Sequence, residues 1–195
     1  MKSVIFSALL LMPAVVRAAE FVQCTTEQQN DINDATNRFK TLVTDSQNYL
    51  ANLAKTSSGT PAPSPSPRYT TWFGTYTDRG SEDVQNFFDH LSRNNFNFYT
   101  FSCTCNDDPE GGYVHVDEFG KVRLCSGFLK APSTGTDSKA GILIRLATRF
   151  SQNGQSRFDA RNQEQCKELA MFDERAAVLN AYNLQYFAEN NPPEN

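Results

Sequence analysis

The feature that most constrains the fold is a stretch around residue 145 that is apolar on almost every side. Between Lys139 and Phe150 the apolar residues are Ala140, Ile142, Leu143, Ile144, Leu146, Ala147 and Phe150. A surface helix keeps one polar face, whereas a segment that is apolar all round must be surrounded by protein. We therefore predict a buried central helix over residues 139–150.

Helical periodicity is present in four further segments. Apolar residues recur every three or four positions over residues 26–54, 81–93, 163–172 and 174–187. Thr25 and Thr26 stand ahead of the acidic first turn of the segment 26–54 and can cap it. The sequence thus predicts four more helices packed around the central one.

The β signals are few and short. Residues 96–105 alternate aromatic with small polar side chains, which is typical of a strand. Residues 113–116 and 122–125 are short β runs joined by a turn at 117–120, which indicates a hairpin. We expect an α+β fold that is mostly helical with a small antiparallel sheet.

The first 18 residues have the pattern of a secretory signal peptide. Lys2 precedes an apolar run from Val4 to Val16, and Val16-Arg17-Ala18 fits a cleavage site. The run is shorter than the roughly 20 apolar residues that span a membrane, so we expect secretion and no membrane anchor. We expect residues 19–195 to form a single domain, with residues 55–67 as a Pro/Ser-rich loop within it.

The charge balance argues against nucleic-acid binding. The chain has 18 basic and 22 acidic side chains, a formal charge of −4, and loss of the leader with Lys2 and Arg17 makes it more negative. A net-acidic domain lacks the basic surface that phosphate backbones require.

Five cysteines in a secreted chain predict disulfides, with one thiol left over. Cys103 and Cys105 are too close in sequence to pair with each other without strain. Their partners must come from Cys24, Cys125 and Cys166, and the sequence alone does not fix which. Because Cys166 lies in a Gln/Glu/Lys-rich helical stretch, we expect it to be the free thiol.

The residue inventory restricts the chemistry of any active site. His90 and His115 are the only histidines, and neither belongs to an H-E-x-x-H sequence that would bind zinc. No G-x-S-x-G sequence presents a nucleophilic serine. We expect both histidines to be structural or surface residues. We also expect the neighbouring carboxylates to be solvated rather than catalytic, namely Asp83 with Asp89 and Asp107 with Asp108.

Arg145 and Arg149 are unusual because they lie one helical turn apart on the predicted buried helix. A buried charge without a partner is very unfavourable, so each guanidinium needs an acid or an anionic ligand. The two alternatives that remain open are an anion-binding site and structural pairing with Asp159, Glu164, Glu168 or Asp173.

Several stretches of the chain resemble one family of peptidases. They are Arg68-Tyr69-Thr70-Thr71-Trp72-Phe73-Gly74, Phe101-Ser102-Cys103-Thr104-Cys105, Leu124-Cys125, Lys130-Ala131-Pro132, Thr134-Gly135-Thr136-Asp137-Ser138, Ala140-Gly141, and Tyr186-Phe187-Ala188-Glu189-Asn190-Asn191-Pro192. From about residue 24 to residue 192 the chain resembles the deuterolysin-like (aspzincin) zinc peptidases, specifically the secreted fungal peptidyl-lysine metalloendopeptidases. The resemblance implies a zincin-like fold with disulfides Cys24–Cys103 and Cys105–Cys125, and it gives Cys166 no counterpart.

The same resemblance implies that the catalytic zinc site has been replaced. The two histidine ligands of the family fall on Arg145 and Arg149, and the catalytic glutamate falls on Leu146. The third ligand, an aspartate, falls on Phe158, and the tyrosine that stabilises the oxyanion falls on Arg161. Guanidinium groups have no lone pair for a metal, so we expect no bound zinc and no catalytic residues.

The acids of the family's lysine pocket fall on Tyr182 and Gln185. We therefore expect a secreted pseudo-protease that lacks the chemistry of the family. In this hypothesis the former cleft holds an anionic group or peptide of an extracellular partner, and the candidate binding residues are Arg145, Arg149, Arg161, Tyr182 and Gln185. The alternative hypothesis is an active zinc metalloendopeptidase that cleaves at lysine with non-standard ligands such as Asp159 or Glu168. A different hydrolytic activity stays open as a third possibility.

Overall fold

A computed structural model describes residues 18–57, 66–105 and 108–194. The predicted signal peptide, apart from Ala18, and most of the predicted Pro/Ser-rich loop lie outside the described residues. The strands are β1 (Glu20–Val22), β2 (Thr100–Ser102), β3 (Gly112–Tyr113) and β4 (Lys121–Leu124). The helices are α1 (Thr26–Ser57), α2 (Pro67–Phe73), α3 (Asp78–Ser92), α4 (Ser126–Lys130), α5 (Lys139–Thr148), α6 (Gln163–Phe172), α7 (Glu174–Leu179) and α8 (Ala181–Glu189).

The long helix α1 confirms the first periodic segment. The Thr25 hydroxyl accepts a hydrogen bond from the Gln28 backbone N–H (3.2 Å), and the Gln28 side chain accepts one from the Thr25 N–H (2.8 Å). This reciprocal pair satisfies backbone donors that the first helical turn leaves free. The buried stripe of α1, which includes Ile32, Phe39 and Leu50, packs toward α3, α5 and α8.

The apolar segment forms the central helix α5, as predicted, although the helix ends at Thr148 rather than Phe150. Every residue from Ala140 to Thr148 is buried, and α5 packs against α1 and α8. Its first turn is capped by the Ser138 hydroxyl, which accepts from the Gly141 N–H (3.1 Å). Glu189, at the end of α8, accepts from the backbone N–H of Ser138 (2.8 Å) and lies so close to Gly141 that a Cβ there would overlap its carboxylate.

The sheet is small, as expected, but it is mixed, and the expected antiparallel pairing is found only between β3 and β4. The strand order is β1-β2-β4-β3. Phe101 in β2 lies opposite Phe21 in β1 and Val122 in β4, both in parallel pairs, and only β3 and β4 run antiparallel. The chain between β1 and β2 contains α1, α2 and α3, and such a long crossover permits parallel pairing. The predicted hairpin is confirmed by β3 and β4, with β3 shorter than expected.

The strand predicted over residues 96–105 is reduced to Thr100–Ser102. Residues Phe96–Phe98 instead form a 3₁₀ turn, because the Asn95 side chain accepts a hydrogen bond from the Asn97 N–H (3.1 Å). Short polar side chains that bond the nearby backbone compete with strand pairing in this way.

The C-terminal helices also differ from the prediction. The segment 163–172 forms α6 as expected, but 174–187 is interrupted at Asn180, which has an extended backbone (φ −86°, ψ 125°). The backbone of Arg157 lies against this break, donating to the Leu179 carbonyl (2.7 Å) and accepting from the Ala181 N–H (2.9 Å). This contact between distant segments replaces the helical hydrogen bonds that a continuous helix would have.

Two disulfides join the segments that follow neighbouring strands, Cys24–Cys103 after β1 and β2 and Cys105–Cys125 after β2 and β4, with the pairing that the resemblance implied. Cys166 is a free thiol buried in the core. Within the described residues, no helix has the length and apolar character needed to cross a membrane.

Candidate functional site

A cavity of about 680 Å³ lies beside the central helix, between α4, α8 and the loop that precedes β3. Arg145, Arg161 and Tyr182, three of the five predicted binding residues, line it. The former cleft is therefore open at these three residues.

Arg145 is the buried cation of this cavity, with only 3% of its surface exposed. It donates to the Gln185 side-chain oxygen (3.1 Å) and to the backbone carbonyl of Glu110. Its guanidinium carbon lies 4.1 Å from the centre of the Tyr182 ring. All three partners are uncharged groups, so these contacts solvate the guanidinium without neutralising its charge.

Tyr182 comes from α8 and presents its ring to the cavity. Burial raises the pKa of the Tyr182 phenol to about 12, and the Arg145 charge opposes part of that rise. The phenol is therefore neutral at physiological pH, and the ring acts as an apolar and cation-binding surface. Phe158 packs against its edge, with the ring centres 5.8 Å apart.

Gln185 is fully buried behind Arg145 and does not line the cavity. Its amide nitrogen donates to the Asp137 carboxylate (3.0 Å), and Asp137 does line the cavity. Gln185 thus orients Arg145 through one end of its amide and Asp137 through the other.

Arg161 lies on the exposed side of the cavity, with 55% of its side chain accessible. It forms an ion pair with the carboxylate of Glu110, and the hydrogen bond to Glu110, followed by its charge, raises the pKa of the Arg161 guanidinium. Glu110 therefore contacts both arginines, Arg161 through its side chain and Arg145 through its carbonyl.

Arg149 does not belong to the cavity. Its guanidinium donates to the Ser156 carbonyl and lies 4.5 Å from the centre of the Phe158 ring. Burial lowers the pKa of Arg149, while the charge of nearby Asp159 opposes that shift. Two arginines one helical turn apart thus end in different environments, separated by Phe158.

Neither Arg145 nor Arg149 forms the ion pair that the alternative of structural pairing requires. Within residues 18–57, 66–105 and 108–194, no carboxylate forms a salt bridge with Arg145 or Arg149. The four acids considered as partners, Asp159, Glu164, Glu168 and Asp173, are therefore not within 4.0 Å of these guanidinium groups. Carbonyl oxygens, an amide and aromatic rings take that place.

Sequence reasoning missed several cavity residues, chiefly Glu110, Lys130, Asp137 and Tyr186. Glu110 is 35 residues from Arg145 and 51 from Arg161 along the chain. No spacing rule connects positions that far apart. Lys130 and Asp137 lie inside stretches that resemble the family. That resemblance was the only feature of the sequence that could have pointed to them as cavity residues.

The resemblance assigns the zinc-ligand positions of the family to residues whose side chains do not fit a zinc ion. Arg145 and Arg149 present guanidinium groups, Phe158 presents a ring, and Leu146 is packed in the hydrophobic core. Zinc sites in proteins use Cys, His, Asp or Glu donors. In the described part of the chain, no three such side chains cluster closely enough to hold a metal, and neither histidine lines the cavity.

Comparison with known proteins identifies relatives along most of the chain. Residues 58–189 match the sequence profile of the aspzincin family, lysine-specific metallo-endopeptidases. The chain is 37% identical over 182 residues to a peptidyl-Lys metalloendopeptidase of Grifola frondosa, covering 93% of this chain and 50% of that protein. It is 38% identical over 174 residues to one of Pleurotus ostreatus, covering 89% of this chain and 98% of that protein. The chain therefore spans about half the length of the Grifola relative and nearly all of the Pleurotus one.

A bacterial relative and a solved structure agree with this. An extracellular protease of Aeromonas hydrophila is 33% identical over 174 residues, which are 89% of this chain and 47% of the relative. The fold matches a zinc peptidase from Grifola frondosa with a TM-score of 0.79 at 38% identity, covering 88% of this chain and 100% of that structure. The resemblance drawn from the sequence stretches is thereby confirmed, and the chain belongs to the lysine-specific metallo-endopeptidase (aspzincin) family.

Proposed function

We propose that this chain is a secreted, catalytically inactive member of its family that binds an anionic group or peptide of an extracellular partner. The observation that carries the proposal is Arg145, a buried guanidinium in a cavity wall whose contacts are all uncharged. A buried positive charge of this kind attracts an anion strongly, because little water competes for it.

The proposed inactivity rests on the residues at the family's catalytic positions. A zinc peptidase makes its nucleophile by lowering the pKa of a metal-bound water, and a neighbouring carboxylate takes the proton. Leu146 offers no proton acceptor, and Arg145 and Arg149 offer no lone pair. Because these positions of the described chain supply neither a metal site nor a base, we propose that the protein does not activate water for peptide hydrolysis.

The proposed loss of lysine recognition follows from the same cavity. Two of the described relatives are named for cleavage at lysine, and a lysine side chain requires an acidic pocket. Tyr182 and Gln185 occupy the positions that the resemblance assigns to that pocket. Arg145 already occupies the ring face of Tyr182 and bonds Gln185, so its charge disfavours a lysine ammonium group at these two positions.

Secretion is supported by the leader pattern at residues 1–18 and by the two disulfides, which persist in oxidising compartments. The Aeromonas relative is named as an extracellular protease. We therefore place the proposed partner outside the cell.

Metal content tests the inactivity directly. The secreted, disulfide-intact protein is dialysed against trace zinc and analysed by elemental mass spectrometry, alongside an assay on a lysine-containing peptide. We expect less than about a tenth of an equivalent of zinc, because a true protein site would be close to full, and no cleavage. Near one zinc per chain together with cleavage at lysine would overturn the proposal in favour of an active metalloendopeptidase.

A further inference from the structure

We propose that the cavity takes a carboxylate of an acidic peptide, and that Glu110 is a built-in competitor which that carboxylate must displace from Arg161. This inference rests on the proposed binding function and makes it more specific. It assigns the class of ligand and a residue that limits its affinity.

The competition follows from the position of the Glu110 carboxylate. It pairs with Arg161, and both side chains line the cavity and remain partly accessible to water, 32% for Glu110 and 55% for Arg161. An exposed ion pair of this kind contributes at most about 1 kcal/mol. A ligand carboxylate can therefore replace Glu110 at Arg161 without a large penalty.

The backbone at Glu110 is held independently of that ion pair. Its carbonyl accepts from Arg145, and its N–H donates to the Asp108 side chain (2.9 Å). The Gly111 N–H donates to the Asp108 carbonyl (3.2 Å), and the Gly111 carbonyl accepts from Cys125 (3.0 Å). Release of the Glu110 carboxylate thus requires only rotation of its side chain, while the loop keeps its place.

Charge in the cavity favours an anion once Glu110 turns away. The cationic lining residues are Lys130, Arg145 and Arg161, and the other acidic lining residue, Asp137, is bonded by Gln185. Arg161 already binds the carboxylate of Glu110, so a ligand carboxylate would replace a group of the same chemical type. Planar two-oxygen groups match the guanidinium fork.

The size and walls of the cavity favour a peptide over a free ion. Its volume of about 680 Å³ is much larger than a single small anion needs, and Ile142, Pro132 and Tyr186 supply apolar and aromatic wall. A peptide places a carboxylate at the arginines and packs its backbone and neighbouring side chains on these surfaces.

The test measures binding of an acetylated, amidated triglutamate peptide by calorimetry at low salt. We expect Glu110→Gln to tighten binding about two- to fivefold, the range that loss of a competing exposed ion pair allows. We expect Arg161→Gln to weaken binding about tenfold or more, since it removes the charged fork. The matching triglutamine peptide should not bind to any form.

The control is an exposed ion pair of the same type away from the cavity, Arg175 with Asp83 at 3.1 Å. Asp83→Asn and Arg175→Gln should leave peptide affinity unchanged. All four substitutions lie at partly exposed side chains, and circular dichroism with thermal unfolding verifies that each variant is folded.

The outcomes separate this inference from the proposed function. If Arg161→Gln removes binding and Glu110→Gln changes nothing, Glu110 is not a competitor, while the binding function stands. If inorganic phosphate binds as tightly as triglutamate, the assignment to an acidic peptide is overturned. If no form binds either probe, both the inference and the anion-binding function are overturned.

Discussion

The guanidinium carbon of Arg145 lies 4.1 Å from the centre of the Tyr182 ring, and the same guanidinium bonds Gln185 from the next turn of α8. The Tyr182 ring and the Gln185 amide both stay uncharged at neutral pH, so neither neutralises the charge of Arg145. Arg145 therefore connects the central helix α5 to α8 and at the same time presents positive charge to the cavity.

Replacing Arg145 with alanine should destabilise the protein by about 2–4 kcal/mol, because the buried acceptors on Gln185 and Glu110 lose their donor and the space beside Tyr182 is emptied. Tyr182→Phe keeps the ring and should change stability by less than about 1 kcal/mol. Urea unfolding of both variants measures the difference. Equal losses of stability would contradict this account, because the ring hydroxyl would then contribute as much to the junction as the guanidinium contacts.

A second buried arginine allows a contrast between its two polar partners. Arg68 is 3% exposed, donates to the Phe187 carbonyl (3.1 Å) and pairs with Asp45 (2.8 Å), whose side chain is 59% exposed. Arg68→Ala should lower the free energy of unfolding by about 3 kcal/mol. Asp45→Asn should lower it by less than about 1 kcal/mol, because the exposed half of the pair is solvated.

The two variants at Arg68 and Asp45 are compared by urea unfolding with the double variant. Because the guanidinium also packs against the rings of Tyr49 (4.8 Å) and Phe187 (4.7 Å), most of its contribution should survive in Asp45→Asn. A loss in Asp45→Asn as large as in Arg68→Ala would contradict this account.

Glu189 makes stability depend on pH. Burial raises the pKa of its carboxyl to about 7, although hydrogen bonds from Ser138 and Asp137 oppose the rise and the Asp137 charge adds to it. Because the folded state binds this proton more tightly than the unfolded state, the contribution of Glu189 is full below about pH 4.5 and is lost as pH rises through about 7.

The measurement is the unfolding free energy of the native chain and of Glu189→Gln between pH 4 and 8, a range chosen to bracket the carboxyl titration. Native stability relative to the variant should fall as the pH rises. The variant cannot ionise, so it serves as the matched reference for all other titrating groups. A difference that grows with pH would mean that the hydrogen bonds outweigh burial and hold the pKa low.

Cys166 should be unreactive in the native protein. It is fully buried, and burial raises the pKa of its thiol to about 12, so almost no thiolate is present at neutral pH. Ellman's reagent at pH 8 should modify less than about a tenth of a thiol per native chain, since the reactive species is the exposed thiolate. In guanidinium chloride one thiol should react, and none should react in Cys166→Ser. Rapid modification of the native chain would show that α6 opens readily.

The fold was largely predictable because its main signals are local. The apolar segment at residues 139–150 forms α5, and the periodic segment at 26–54 forms α1. In each segment the order of apolar and polar residues alone indicates whether the helix is buried on all sides or along one stripe. The break at Asn180 was not predictable, because it depends on backbone bonds to Arg157, more than twenty positions earlier in the chain. The parallel pairing of β1 with β2 likewise depends on a crossover that no short window contains.

The candidate site was predictable only in part. Arg145, Arg161 and Tyr182 line one cavity, but Arg149 packs against Phe158 and does not line it, although helical spacing placed both arginines together. Helical spacing fixes the direction in which each side chain leaves the helix axis. It does not determine which other part of the chain packs against that side chain. Glu110 was missed because its role comes from a loop that the fold brings beside α5.

Gly141 is a position where helix propensity gives the wrong guidance for raising the thermal stability of the protein. Glycine inside a helix is less favourable than alanine by about 1 kcal/mol, so Gly141→Ala would be among the first changes chosen. The carboxylate of Glu189 fills the space that the new methyl group needs. The two positions therefore have to be redesigned together, and a change chosen from helix propensity alone would push the end of α8 away from the start of α5.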